Sequence, residues 1–152
     1  MNTTKIILLV AAIGLSGMAA AHAGSPALPA PVRSVYGDYL KIQASLAKDS
    51  MTGVTENADA IAKAVQADAK TLPAAVATEA ETLAKAPDLK SARAAFKPLS
   101  DSLIQYLADH KAKDAYVQVY CPMANASWLQ ADKTVKNPYM GKAMSDCGEI
   151  RN

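Results

Sequence analysis

Residues 32–46 read Val32-Arg-Ser-Val-Tyr-Gly-Asp-Tyr-Leu-Lys-Ile-Gln-Ala-Ser-Leu46. Apolar side chains stand at Val32, Val35, Tyr36, Tyr39, Leu40, Ile42 and Leu46, mostly three or four residues apart. That spacing makes one broad stripe only on a helix, so the sequence predicts a helix over 31–48. Asp49-Ser50-Met51-Thr52-Gly53 breaks it.

The same period returns three times. Val54, Ala58, Ile61, Ala62, Val65 and Ala69 predict a second helix over 54–70. Thr71-Leu72-Pro73 supplies a turn, and Pro73 suits a first helical turn because its missing N–H is not needed there. A third, alanine-rich helix is expected over 73–86. Its stripe of Val76, Ala80 and Leu83 is so thin that close approach to a neighbour must replace bulk. Asp88 reads as the N-cap of a fourth helix lined by Leu89, Ala92, Phe96, Leu99, Leu103 and Leu107. Pro98 inside this run predicts a kink or a split, because it removes one backbone donor and crowds the preceding turn. Four such segments joined by short turns predict an all-α, antiparallel four-helix up-down bundle.

The pattern changes at residue 115. Residues 115–120, Ala-Tyr-Val-Gln-Val-Tyr, favour an extended segment across the bundle, or an irregular one, since no partner strand is evident. One helical turn is expected over 127–131 around Trp128. Asn137-Pro138 then opens a short helix, with Asn137 as cap, and Gly148 closes it. Together these make an irregular Cys/Met-rich segment, 120–148, folded over the bundle.

The N-terminus carries an address. One positive charge at Lys5, an apolar run beginning at Ile6 and Ala21-His22-Ala23 describe a secretory signal peptide over 1–23, cleaved after Ala23. The apolar run is short for a membrane span and no second follows, so stable membrane insertion is not expected. A periplasmic location follows from that reading. Residues 24–31, Gly-Ser-Pro-Ala-Leu-Pro-Ala-Pro, read as a flexible leader, and 32–152 as a single helical domain. The whole chain has 16 basic and 14 acidic residues. Loss of Lys5 leaves a net charge of +1, which argues against nucleic acid as a partner.

Sulfur is concentrated at the other end. Both cysteines, Cys121 and Cys147, lie in 120–148 with Met123, Met140 and Met144; after residue 23 the remaining methionine is Met51. On a helix over 138–147, Met140, Met144 and Cys147 would share a face. Cys121 and Met123, two apart in an extended segment, would share another. Thiolates and thioethers are soft donors that select Cu(I) or Ag(I). Cys121, Met123, Met144 and Cys147 are therefore the expected metal ligands, with Met140 as a possible extra. Zinc is disfavoured because no paired histidine accompanies the cysteines. The rival reading is a structural Cys121–Cys147 disulfide, the default for exported cysteine pairs, worth about 3 kcal/mol for a loop of this length. It would leave a small helical partner-binding or scaffold domain. No Ser-His-Asp or Cys-His set is legible, only His110 remains once His22 is cleaved off, and the acids scatter over solvated helix faces, so no enzyme is expected.

Tyr120-Cys-Pro-Met-Ala, Trp128-Leu, Asn137-Pro-Tyr, Gly141, Met144 and Cys147-Gly resemble an uncharacterised periplasmic domain family. That family also supplies the C-terminal domain of copper and silver efflux adaptor (membrane-fusion) proteins. The resemblance implies a mainly helical domain, a heavy-metal association with Cys121, Met123, Met144 and Cys147 as ligands, and components of a copper efflux system as partners. Met140 departs from the aromatic expected after the tyrosine. The hairpin and barrel modules of an adaptor are missing, so pumping itself is not implied.

Overall fold

The computed structural model describes residues 28–151. The signal peptide and residues 24–27 of the leader lie outside them. Leu28 is already buried, and its carbonyl accepts from Arg33 at 2.8 Å.

Four helices follow where the apolar period puts them. The first, α1, spans Ala30–Ala47, with Pro31 in its opening turn, and buries Val32, Val35, Tyr36, Tyr39, Ile42 and Leu46 completely or nearly so. Asp49 stops it with a left-handed φ of 57°, and the Ser50 amide returns to the Ser45 carbonyl at 3.0 Å. Asp is one of the few side chains that tolerate this region. Helix α2 spans Val54–Ala67 and α3 spans Ala74–Ala84, the latter entered through Pro73. Helix α4 runs Leu89–Asp109, and the Asp88 carboxylate caps it by accepting from the Ser91 amide at 2.8 Å.

Pro98 does not split α4; one helix runs through it. The proline removes one hydrogen bond, but Phe96, Leu99, Ser100 and Leu103 are all fully buried on either side. Burial of that unbroken face outweighs a single lost bond.

Consecutive helices pack against each other in chain order, α1 on α2, α2 on α3 and α3 on α4. The space between α1 and α4 is bridged by aromatic side chains. Tyr36 donates to the Leu103 carbonyl at 2.6 Å, and Tyr39 stacks on Phe96 with centroids 4.8 Å apart.

The fold is not all-α. Beyond a 3-10 turn at Lys113–Ala115 the chain forms a three-stranded antiparallel sheet of β1 (Val117–Cys121), β2 (Ala126–Gln130) and β3 (Glu149–Ile150), in the order β2-β1-β3. The expected helical turn over 127–131 is strand β2 instead. The partner strand for this stretch begins five residues beyond Cys121, across a turn formed by Pro122, Met123, Ala124 and Asn125. Asn125 takes φ 45° and its amide donates to the Pro122 carbonyl at 3.2 Å. The register pairs Val119 with Trp128 and Cys121 with Ala126. Paired residues share a face, so this sheet face, carrying Trp128, Val119 and Cys121, is dry. Strand β2 packs on both α1 and α4. The Leu129 amide donates to the Tyr39 hydroxyl at 3.1 Å, and Tyr139 donates to the Ser127 carbonyl at 2.9 Å.

The predicted helix over 138–147 is also corrected. Residues 138–140 form a turn, and only Gly141–Met144 is helical, as a 3-10 turn. Asn137, foreseen as the cap of that helix, caps none; its side-chain oxygen instead accepts from the amides of Tyr139 and Met140 in the turn, at 2.8 and 3.0 Å. Gly148 closes no helix. Its lack of a side chain is required by space, since a Cβ there would lie 2.6 Å from Val119 and 2.8 Å from Trp128.

Candidate functional site

Three anchors carry the segment after β2. The buried Gln130 holds loop 131–136: its amide nitrogen donates to the Asp132 and Thr134 carbonyls at 2.6 and 2.8 Å. Its oxygen accepts from the Trp128 indole at 3.0 Å. Gln43 of α1, also buried, donates to the Lys136 carbonyl at 2.6 Å. Arg93 of α4 then clasps the turn that follows. Its guanidinium donates to the Pro138 carbonyl at 2.8 Å, to the Leu46 carbonyl at 2.9 Å and to the Asp49 carboxylate at 2.5 Å. Asp49 in turn accepts from the Lys142 amide at 3.1 Å. Gly141, with φ 54°, sits against this pair so closely that a Cβ would collide with the Asp49 carboxylate and the Arg93 guanidinium.

These anchors return the chain to the end of β1. Cys121, with no accessible surface, and the half-buried Cys147 are free thiols that approach to 2.5 Å. The buried Asn137 ties the two ends together. Its side-chain nitrogen donates to the Cys147 carbonyl at 2.7 Å and its backbone amide to the Ser145 carbonyl at 2.8 Å. The same side chain also hydrogen-bonds Cys121.

Burial alone would push the Cys121 thiol up. Hydrogen bonds from Cys147, from the amides of Ala124 and Met123 and from Asn137 overcome it and hold the thiol below its ordinary value. Cys147 moves the other way. Its hydrogen bond to Cys121 raises it first, then burial and the charge on Cys121, with Asp146 adding to the effect. Of the two thiols, Cys121 is therefore the first to give up its proton.

Met123 is 67% exposed at the tip of the β1–β2 turn. Met140 and Met144 are half-buried, and the helix over 138–147 that would have set them on one face with Cys147 is not formed. Among the described residues, no three His, Cys, Asp or Glu side chains converge. His110 caps the C-terminus of α4, stacked on Tyr106 at 3.9 Å, its Nδ1 on the Tyr106 carbonyl at 2.8 Å. Asn137 is the member of the site that the sequence assigned only as a helix cap. Its signal was the Asn-Pro-Tyr stretch, whose role depends on what the tail meets.

A family model described as a protein of unknown function, DUF3347, matches residues 35–115. The chain belongs to this family. The DUF3347 region runs from α1 to the 3-10 turn before β1, so it comprises the helical scaffold, and both cysteines lie beyond it. The family description names no activity and no efflux adaptor. No curated protein and no solved structure matches the chain. Among the described residues, no helix is long and apolar enough to cross a membrane.

Proposed function

We propose that this DUF3347 protein is an exported, periplasmic scaffold that binds Cu(I) or Ag(I) through Cys121 and Cys147 and buffers it or hands it to an efflux system. The observation that carries the reading is the meeting of two thiols 26 positions apart in sequence, one of them held toward its thiolate form by four hydrogen-bond donors. Thiolate is the ligating form, and two thiolates suit a soft monovalent ion. The absence of a third convergent cysteine, histidine or carboxylate among the described residues disfavours the closed four-ligand set of structural zinc. Met123, exposed beside Cys121, is available as a thioether ligand, and Met144 is the next; Met140 has the weakest case.

Binding requires the thiols to part. With metal–sulfur bonds of about 2.3 Å, by analogy with zinc, two ligand sulfurs stand well beyond the present contact. Residues 145–148, which carry Cys147 and belong to neither helix nor strand, would have to shift to make that room. Titration of the reduced, tag-free protein with Cu(I) against a competing chelator tests the reading. About one ion per chain is expected, with affinity falling at least tenfold in Cys147→Ser, as expected when one ligand is lost. Stoichiometry well below one, or unchanged affinity in that variant, overturns it.

The close approach of the two cysteines also favours a second reading, a structural bridge in a helical partner-binding or scaffold domain. Free-thiol counting on natively purified protein separates the two: two thiols per chain support the open site and none supports the bridge.

A further inference from the structure

We propose that Cys121 and Cys147 form an exchangeable disulfide, opened by an external dithiol that attacks Cys147 and expels Cys121. Its consequence for metal, that only the opened pair binds, rests on the reading above; the exchange itself does not.

The geometry separates the two sulfurs by access. Cys121 has no accessible surface beneath the sheet and the returning tail, whereas Cys147 is half-buried between exposed Asp146 and half-buried Gly148. A thiol arriving from solvent reaches Cys147 first. The groups around Cys121 are donors: the Ala124 amide, the Asn137 side chain and the Met123 amide, the last of which also reaches Cys147. A bridged sulfur is a weak acceptor and a thiolate a strong one, so these bonds favour the open form and stabilise Cys121 as the leaving group. A bridge built only for strength gains nothing from donors that act when it is broken.

In the first step the attacking thiolate bonds to the Cys147 sulfur as the Cys121–Cys147 bond breaks, and the bonding pair leaves on Cys121. The second thiol of the dithiol, deprotonated, then attacks its own first sulfur in the mixed disulfide and releases Cys147. Two electrons pass from the dithiol to the pair. Of the two thiol protons, one ends on Cys147 and one in solvent, and the dithiol departs as a disulfide.

Two measurements on the mature chain test this without metal. Cys121→Ala and Cys147→Ala are each incubated with oxidised glutathione, and adducts are followed by mass spectrometry. Adduct formation at Cys147 is expected to outpace that at Cys121 by about tenfold or more. The bridged wild type is also equilibrated in glutathione buffers, where Asn137→Ala is expected to favour the bridged form by about tenfold. Equal adduct rates, an equilibrium unmoved by Asn137→Ala, or a bridge that excess dithiothreitol leaves closed in the folded protein would each overturn the proposal. Failure here leaves the Cu(I) titration of the reduced chain unaffected, and failure of that titration leaves these exchange rates unaffected.

Discussion

The amide of Leu129 donates to the hydroxyl of Tyr39 at 3.1 Å, joining the sheet to the first helix inside the core. The same hydroxyl bonds the Ser100 side chain of α4 at 2.8 Å. Burial pushes Tyr39 up, so it keeps its proton across the working pH range. Tyr39→Phe preserves the stacking on Phe96 and strands the Leu129 amide. It should cost about 1–3 kcal/mol, the penalty of one buried donor left unsatisfied, read as a lower urea midpoint with unchanged slope.

Two glycines should respond in opposite directions to alanine. Gly37 lies inside α1 with open space where a Cβ would stand. Gly37→Ala should stabilise by about 1 kcal/mol, the difference in helix propensity. Gly141 combines a left-handed φ with contact on the Asp49–Arg93 pair. Gly141→Ala should lose about 2 kcal/mol or more from strain and a disrupted clasp. Thermal unfolding of both variants checks the contrast.

The Asn137 side chain satisfies four bonding demands from one buried position, serving Cys121, the Cys147 carbonyl and the Tyr139 and Met140 amides. Asn137→Ala should cost about 3 kcal/mol, because several of these groups stay buried without partners. It should also raise the titration midpoint of Cys121. Ultraviolet thiolate absorbance against pH, in reduced protein, measures that shift; an unmoved midpoint would remove Asn137 from the site.

The acid response should have two opposite components. Hydrogen bonds from Arg93 and the Lys142 amide hold Asp49 below its usual carboxylate value. Its contribution is therefore present above the unfolded value and lost as pH falls through the depressed one. The stability gap between wild type and Asp49→Asn should be constant near neutrality and close below about pH 4. Glu79 is raised, chiefly by burial, and one of its carboxylate oxygens has no partner while the other accepts from Ser102 at 2.9 Å. Charging it costs stability as pH rises through its raised value. Glu79→Gln should accordingly raise the urea midpoint at pH 7 and leave it unchanged at pH 3.

Sequence alone determined the four helices, because each is written in a local period of three and four residues and ended by a local signal. Asp88 caps α4 and Gly53, with φ 75°, precedes α2, both readable without any distant partner. It also singled out Cys121 and Cys147, since two cysteines placed so near one end form a legible pair. Tertiary structure decided the rest. Residues 127–131 became a strand because a strand's stability lies in its neighbour, and Val119, the partner of Trp128, stands nine residues back across a turn. Residues 138–147 did not complete a helix, because Arg93 takes the Pro138 carbonyl, Asp49 takes the Lys142 amide and Asn137 takes the Cys147 carbonyl. Those tertiary bonds compete for the groups a short helix would need, and a segment of ten residues has too little helical stability of its own to resist them. The helical face foreseen for Met140, Met144 and Cys147 went with that helix, while the cysteines met because the strand and the returning tail converge on Asn137.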